Sequence, residues 1–259
     1  MRHCYVVRVF TAGSSGGNAL GVIPDSTGLD AEAMQGIATG LGFSETVFID
    51  WPAGNVPSLR IFTPAAELPF AGHPLVGTAW VLNQMGPGAE TMSIRIGEVA
   101  VRIEGDLVWV TPPAIDQPVR EVAVDEATTL GVPAVRAWRV EVPSDYLVAE
   151  VSSEADLIAT SPDLEAVAAA ADGLYVFHGH GITRARFFAP RLGVDEDPAT
   201  GSAAVALCAV TRSLGRQSGT SQIVQGLPDA ISEIHMTWNG LTVDLGGGVV
   251  MDELRLLER

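Results

Sequence analysis

The sequence contains no lysine, so it lacks the side chain that forms Schiff bases with pyridoxal phosphate and with aldolase substrates. This absence excludes one common route to racemisation. Basic residues are scarce in general, because 15 arginines stand against 31 Asp and Glu, for a formal net charge of -16. No basic patch is visible that would attract nucleic acid or an anionic membrane, and we expect neither as a partner.

Cysteine and long apolar runs are also scarce. Cys4 and Cys208 are too few for a disulfide framework or a zinc cluster, and we predict two buried free thiols. No stretch approaches the roughly 20 apolar residues of a membrane span. The apolar run that begins at Cys4 is cut by Arg8 and is too short for the core of a signal peptide, so we expect a cytoplasmic protein.

The sequence gives no support for a cofactor or a metal. Neither of the glycine-rich patterns G-x-G-x-x-G and G-x-x-x-x-G-K occurs. His178 and His180 have no third ligand at a recognisable spacing, so no metal site is predicted. Residues 13–17 match the G-x-S-x-G pattern of hydrolases, but a predicted strand follows them where that pattern needs a helix, which favours a flexible turn.

One sequence pattern occurs twice along the chain. Residues 60–64 and 186–190 both read Arg-x-Phe-x-Pro, and each is followed by a loop, a glycine turn and a run of small residues typical of a buried helix. A helix begins with unpaired backbone N–H groups and the positive end of its dipole, so both turns are suited to an anion. If the halves pack about a pseudo-twofold axis, the two helix starts converge on one cleft.

The repeat divides the 259 residues into two halves, 1–113 and 114–247. The proline-rich segment 111–133 is the predicted crossing between them. The last strands can close either half, and residues 248–259 are the candidate to complete the first. Strands outnumber helices without alternating regularly with them, which predicts an α+β fold and disfavours a doubly wound parallel sheet.

Three polar residues lie close to the repeated turns. Glu45 begins an apolar strand, His73 begins a helix, and Asp197 is predicted on a loop just before the turn at Gly201. Alone, each has an ordinary explanation: a solvated strand end, a donor to backbone, and a cap residue. Together they suit proton transfer, because a carboxyl group beside apolar walls has a raised pKa and helix N–H groups stabilise an enolate.

At these positions the chain resembles the PhzF-like (phenazine-biosynthesis) isomerases. Three segments look like the signature segments of that family, and Asn18 after Gly17 is a fourth, weaker match. The three segments are residues 42–46, 60–74 and 196–203. The resemblance implies the diaminopimelate-epimerase-like fold, with two pseudo-symmetric domains, each a β-barrel-like sheet wrapped around a central helix, and an active site between them.

The resemblance also assigns roles. Glu45 would be the acid/base that carries the proton, and His73 and Asp197 would complete the catalytic set with it. Substrate binding would fall to Asn18, Gly72, Gly201 and Ser202, the two glycines through backbone N–H groups that hold the carboxylate of a small-molecule substrate.

No cofactor is implied by this resemblance, and a homodimer is expected. Related racemases use two thiols at the glycine turns, where this chain has Ala71 and Thr200, so two-thiol racemisation is disfavoured. A lyase or hydrolase using the same cleft, and a non-catalytic homologue that binds a small acid, remain as alternatives.

Overall fold

The structure is a computed structural model that describes residues 1–52, 56–86, 88–114, 116–142 and 144–257. The chain divides into two compact units. Met1–Pro113 and Asp244–Arg259 form the first unit, and Ala114–Val243 forms the second. The sequence-based boundary lies at the same position, while the return to the first unit begins at Asp244 instead of near 248. Residues 258 and 259 of the predicted returning segment lie outside the described residues.

The first unit consists of nine strands and two helices in the part of the chain that is described. The strands are β1 Arg2–Thr11, β2 Asn18–Ile23, β3 Glu45–Asp50, β4 Ser58–Phe62, β5 Glu67–Leu68, β6 Thr91–Ile94, β7 Gly97–Glu104, β8 Leu107–Thr111 and, from Asp244 onward, β17 Thr242–Leu257. The helices are α1 Ala31–Leu41 and α2 Gly72–Met85.

Strand pairing in the first unit closes on itself. β2 pairs antiparallel with β1 and parallel with β3, β4 connects β3 to β6, and β7 connects β6 to β8. β17 completes the ring: Leu245–Gly247 pairs with β8, and Gly248–Leu257 pairs with β1. The result is a closed barrel of strands, in which no edge between β8 and β1 is left open.

Helix α2 is buried on all sides along its first two turns, since every residue from Gly72 to Ala79 is buried. It contacts β1, β2, β3 and β8. Gly77 allows this close approach: a Cβ atom there would lie 2.5 Å from Leu20 Cδ2 and 2.7 Å from Val9 Cγ2. The small residues predicted from the sequence therefore serve to bring the helix backbone against the strands.

Helix α1 lies against a separate apolar cluster. Its N-cap, Asp30, accepts a hydrogen bond from Ala33 N, and its C-cap, Gly42, adopts the left-handed conformation (φ 70°) that glycine tolerates best. Met34 and Ala38 on the buried face pack with strand residues that include Phe48. The helix end at Gly42 thus fixes where β3, and with it Glu45, begins.

The second unit has eight strands, four helices and a 3₁₀ turn among the described residues. The strands are β9 Val119–Val122, β10 Ala134–Val142, β11 Ser144–Val151, β12 Gly173–His178, β13 Ile182–Ala189, β14 Val194–Asp197, β15 Ser218–Gln225 and β16 Ser232–Asn239, of which β14 is a short hairpin strand beside β13. The helices are α3 Asp125–Thr128, α4 Glu154–Ala159, α5 Leu164–Ala170 and α6 Gly201–Ser213, and the 3₁₀ turn is Pro190–Leu192.

The pairing order in this unit repeats the order found in the first. β10 and β11 are antiparallel, β11 and β12 parallel, and β12 and β13 antiparallel. β13 then pairs parallel with β15, as β4 does with β6. Helix α6 contacts β9, β10, β11 and β16, and every residue from Ala203 to Val210 is buried.

The repeated Arg-x-Phe motif makes the same contacts in both units. In each, the arginine donates two hydrogen bonds of 2.7 or 2.8 Å to a glutamate, and its guanidinium lies over a phenylalanine ring at about 5 Å. The residues are Arg60, Glu67 and Phe62 in the first unit and Arg186, Glu196 and Phe188 in the second.

Three sequence-based expectations need correction. The segment 111–133 is more than a crossing, because β9 and α3 lie within it. Asp197 is the last residue of strand β14, where pairing with Phe187 of β13 holds it, and does not lie on a loop. The predicted closing strand within 248–259 is part of one longer strand, β17 Thr242–Leu257. No helix in the described ranges is long and apolar enough to cross a membrane.

Candidate active site

Glu45 is held by the turn between α1 and β3. It is the first residue of β3, three residues after the left-handed Gly42. Its side chain is only 16% exposed. The same turn contacts β2, because Ser44 Oγ donates a hydrogen bond of 2.9 Å to Asn18 Oδ1. Asn18, predicted to bind substrate, therefore lies beside the acid/base candidate in the first unit.

His73 is the second residue of α2, and its side chain is 5% exposed. Nε2 lies 3.3 Å from Glu45 Oε2. The ring also donates a hydrogen bond to the backbone carbonyl of Ala19, and since Nε2 is the atom next to Glu45, we assign Nδ1 as that donor. Burial lowers the pKa of His73 to about 3, and the Ala19 bond opposes this only in part. His73 is therefore neutral at pH 7, with the lone pair of Nε2 directed toward the Glu45 carboxyl group.

The first turns of α2 and α6 differ from those of three other helices. α1, α4 and α5 each begin with a side chain that accepts a hydrogen bond from the first turn: Asp30, Ser153 and Asp163. The N-caps of α2 and α6 are Ala71 and Thr200, and in the described part of the chain neither side chain makes such a bond. Their first-turn N–H groups are the kind that holds a carboxylate or phosphate in other proteins.

In the second unit a buried polar network shapes the turn before α6. The Asp197 carboxylate accepts a hydrogen bond from Thr200 Oγ1. Gln225, fully buried on β15, donates to the Asp197 carbonyl at 2.8 Å and to Thr200 Oγ1 at 3.1 Å, and accepts from Thr200 N at 3.3 Å. Asp197 is thereby fixed next to the helix start that carries Gly201 and Ser202.

Ser202, the second residue of α6, contacts a residue that the sequence analysis did not single out. Its hydroxyl lies 3.0 Å from the Tyr146 hydroxyl, which β11 supplies from 56 residues away. Gln225 was also missed. Neither residue lies in a recognisable motif, and the sequence alone contains no signal that relates either to α6.

The predicted site residues fall into two groups. One group lies in the first unit and the other in the second. The first unit contains Asn18, Glu45, Gly72 and His73, and the second contains Asp197, Gly201 and Ser202. Among the residues described, no group of three or more His, Cys, Asp and Glu side chains is arranged to hold a metal ion.

These residues lie inside a match to a known family. The family model described as "Phenazine biosynthesis-like protein" matches residues 7–229. The trans-2,3-dihydro-3-hydroxyanthranilate isomerase of Pseudomonas chlororaphis is 32% identical over 282 aligned residues, which cover 95% of this chain and 99% of that protein. The chain belongs to the PhzF family. As a member of this family the protein is an isomerase.

Solved structures agree with the family assignment. A protein described as a predicted epimerase from Pseudomonas aeruginosa is 25% identical, with a TM-score of 0.82 and 99% of each chain covered. A probable proline racemase from Agrobacterium radiobacter is 12% identical, with a TM-score of 0.71 over 100% of this chain and 93% of that one, and this likeness concerns the fold. The PhzF-like and epimerase-like fold predicted from the sequence is therefore confirmed at the level of the strand barrel.

Proposed function

We propose that this PhzF-family isomerase moves a proton between two carbon atoms of a small carboxylated substrate, with Glu45 as its single acid/base. The observation that carries the proposal is the buried pair Glu45 and His73 at the first turn of α2, with Nε2 and Oε2 3.3 Å apart. The proposal includes the arrangement that the resemblance implies, a substrate cleft between two pseudo-symmetric domains with central helices α2 and α6.

The protonation state of the pair follows from the two contacts of His73. Because Nδ1–H donates to Ala19, Nε2 carries a lone pair, and an ionised carboxylate facing a lone pair at 3.3 Å would be repelled. A protonated Glu45 removes the repulsion. The resting enzyme therefore carries one proton on Glu45, while the imidazole of His73 stays neutral beside it.

The proposed reaction balances without another reactant. Glu45 reaches its ionised form by releasing its proton to solvent and then removes a proton from one carbon of the substrate, and the electron pair of the broken C–H bond delocalises into the conjugated acid. Glu45 then returns the proton to a second carbon, so the product has the same mass as the substrate. The N–H groups at Gly72 and Gly201 support the proposal, since uncapped first turns can hold the substrate carboxylate and stabilise the charge that develops.

A comparison of the two units supports the use of one base. Glu45 pairs with Leu20 of β2 in the first unit. The equivalent pair in the second unit is Gly173 with Tyr146 of β11, so Gly173 corresponds to Glu45. Only the first unit thus has a carboxyl group at this position. At the N-cap positions, where related racemases have thiols, Ala71 and Thr200 offer no base of comparable strength. A proton that leaves and returns through Glu45 fits this asymmetry better than two-base racemisation.

The test uses trans-2,3-dihydro-3-hydroxyanthranilate, the substrate named for the Pseudomonas relative, in heavy water. Glu45→Gln keeps the size of the side chain and replaces the carboxyl group with an amide that cannot act as an acid or base, and we expect solvent deuterium incorporation to fall by about 10²-fold or more. Glu98→Gln, an exposed glutamate in the same unit, is the matched control and should retain full activity.

Three results would count against the proposal. Undiminished exchange by Glu45→Gln would remove the residue from the mechanism. A product of changed mass would favour a lyase or hydrolase. No exchange by the wild type on this substrate or on a panel of small cyclic and amino acids, despite binding, would favour a non-catalytic homologue.

A further inference from the structure

Tyr146 makes in the second unit the kind of contact that Glu45 makes in the first, because each reaches the second residue of the buried helix. Glu45 begins β3 and reaches His73, the second residue of α2. Its counterpart, Gly173, begins β12 and has no side chain, but Tyr146 on the neighbouring strand reaches the second residue of α6, Ser202, at 3.0 Å. Each unit therefore places one polar side chain against the same position of its buried helix.

The glycine makes room for this contact. A Cβ atom on Gly173 would lie 2.3 Å from Phe187 Cζ and 3.2 Å from Tyr146 Cδ1, so the two rings fill the space that a side chain at 173 would need. The Tyr146 and Phe187 rings meet edge to face, with centroids 5.1 Å apart. Tyr146 is 4% exposed. Its hydroxyl is thus carried on a ring that packing holds in place.

The geometry points to Tyr146 as a positioning residue for substrate binding. We propose that Tyr146 O–H donates to Ser202 Oγ, which leaves the Ser202 proton to be donated to the carboxylate held at the first turn of α6. A serine hydroxyl has one proton and can rotate, so a fixed donor on one side determines where that proton points. An anion needs a donor, and Tyr146 ensures that Ser202 acts as one.

This inference rests on the proposed function and deepens it, since it assigns the carboxylate of the substrate to Ser202 through Tyr146. It makes a specific claim: the Tyr146 hydroxyl acts on the ligand only through Ser202. A residue that merely stabilises the fold would affect the ligand equally with or without the serine hydroxyl.

The chain provides a matched control in Tyr175. This tyrosine lies on β12, is fully buried, and packs against the same Phe187 ring, with centroids 6.1 Å apart. Its hydroxyl makes no hydrogen bond with any of the residues described. Tyr175→Phe therefore removes a buried hydroxyl from the same cluster without removing a hydrogen bond.

The experiment is a double-mutant cycle of Tyr146→Phe and Ser202→Ala, with Tyr175→Phe in both backgrounds. The first readout is the dissociation constant of 3-hydroxyanthranilate, an aromatic carboxylate that has no saturated C–H bond to exchange. The second is turnover of trans-2,3-dihydro-3-hydroxyanthranilate. We expect Tyr146→Phe to weaken probe binding and raise KM about fivefold, the size of one hydrogen bond, with kcat unchanged.

In the Ser202→Ala background the effect of Tyr146→Phe should fall below about 1.5-fold, because the coupling acts through the missing hydroxyl. Tyr175→Phe should change neither constant in either background. Equal effects of Tyr146→Phe with and without Ser202, or no effect at all, would overturn the positioning role. A wild type that neither binds the probe nor turns over the substrate would instead overturn the proposed function, and this is seen before any variant is made.

Discussion

The depressed pKa of His73 predicts a loss of stability in mild acid that one substitution should remove. Burial holds the pKa of His73 at about 3 in the folded protein, against 6.5 for the free side chain. The unfolded chain therefore gains a proton below pH 6.5 that the folded chain does not take up. This stabilising contribution is fully present above pH 6.5 and is lost as the pH falls toward 3.

The magnitude follows from the two pKa values. Each pH unit in this window is worth about 1.4 kcal/mol, so at pH 5 the His73 contribution to the free energy of unfolding has fallen by roughly 2 kcal/mol. An ionised Glu45 raises the pKa of His73, because a negative charge 3.3 Å away favours the imidazolium, and so reduces this loss of stability. A protonated Glu45, as the proposed function requires, leaves the full effect.

The measurement compares urea unfolding of the wild type and His73→Asn between pH 7.5 and 5, followed by far-ultraviolet circular dichroism. Asparagine can retain the donor to Ala19 but does not titrate, so the difference in stability between the two proteins should shrink by about 2 kcal/mol as the pH falls to 5. Groups distant from His73 should titrate alike in both proteins. A pH-independent difference, or an NMR titration of His73 with a midpoint near 6, would refute the reasoning.

Three further predictions concern packing, the polar network and the thiols. Gly77→Ala should lower the free energy of unfolding by about 1–3 kcal/mol, because the new Cβ would lie 2.5 Å from Leu20. Gly36→Ala in α1, where nothing lies within 4 Å of the new Cβ, should cause no such loss. Equal shifts of the melting temperature in the two variants would contradict this. Gln225→Ala should cost about 1–3 kcal/mol in a denaturant titration because it leaves buried partners in the turn before α6 unsatisfied, and an unchanged midpoint would show that water replaces it. Burial raises the pKa of both cysteine thiols, Cys4 and Cys208, to about 11, so neither should react with iodoacetamide at pH 8 until urea is added, and rapid alkylation of the native protein would show that a thiol is accessible.

Features that depend on a few neighbouring residues were predictable from the sequence. The N-cap at Asp30 and the stop at Gly42 are local: one side chain reaches an N–H three residues away, and one residue adopts the left-handed conformation. Together they locate α1 and the start of β3, and so the position of Glu45. The Arg-x-Phe repeat was visible for the same reason, since its spacing is preserved in both halves.

Features that depend on distant pairing were not predictable. Tyr146 meets Ser202 across 56 residues, and Gln225 meets Thr200 across 25. Both contacts join a strand residue to the start of α6, and local periodicity does not report which distant strand lies beside a helix start. The strand and the short helix within 119–128 were hidden by the proline-rich composition around them, and β14 has only four residues, too few to establish an alternating pattern.

The position of the closing strand β17 late in the chain affects how the first unit folds during translation. Residues 244–257 supply the strand that joins β8 to β1, so the first unit stays open at that seam until they are made. Translation from Pro113 to Asp244 takes on the order of 10 s at typical rates. During that interval the edges of β8 and β1 lack their partner strand and are exposed to other nascent chains, and the second unit has its full sequence before the first unit does. Assembly should therefore run against the order of synthesis, with the half made first becoming complete last.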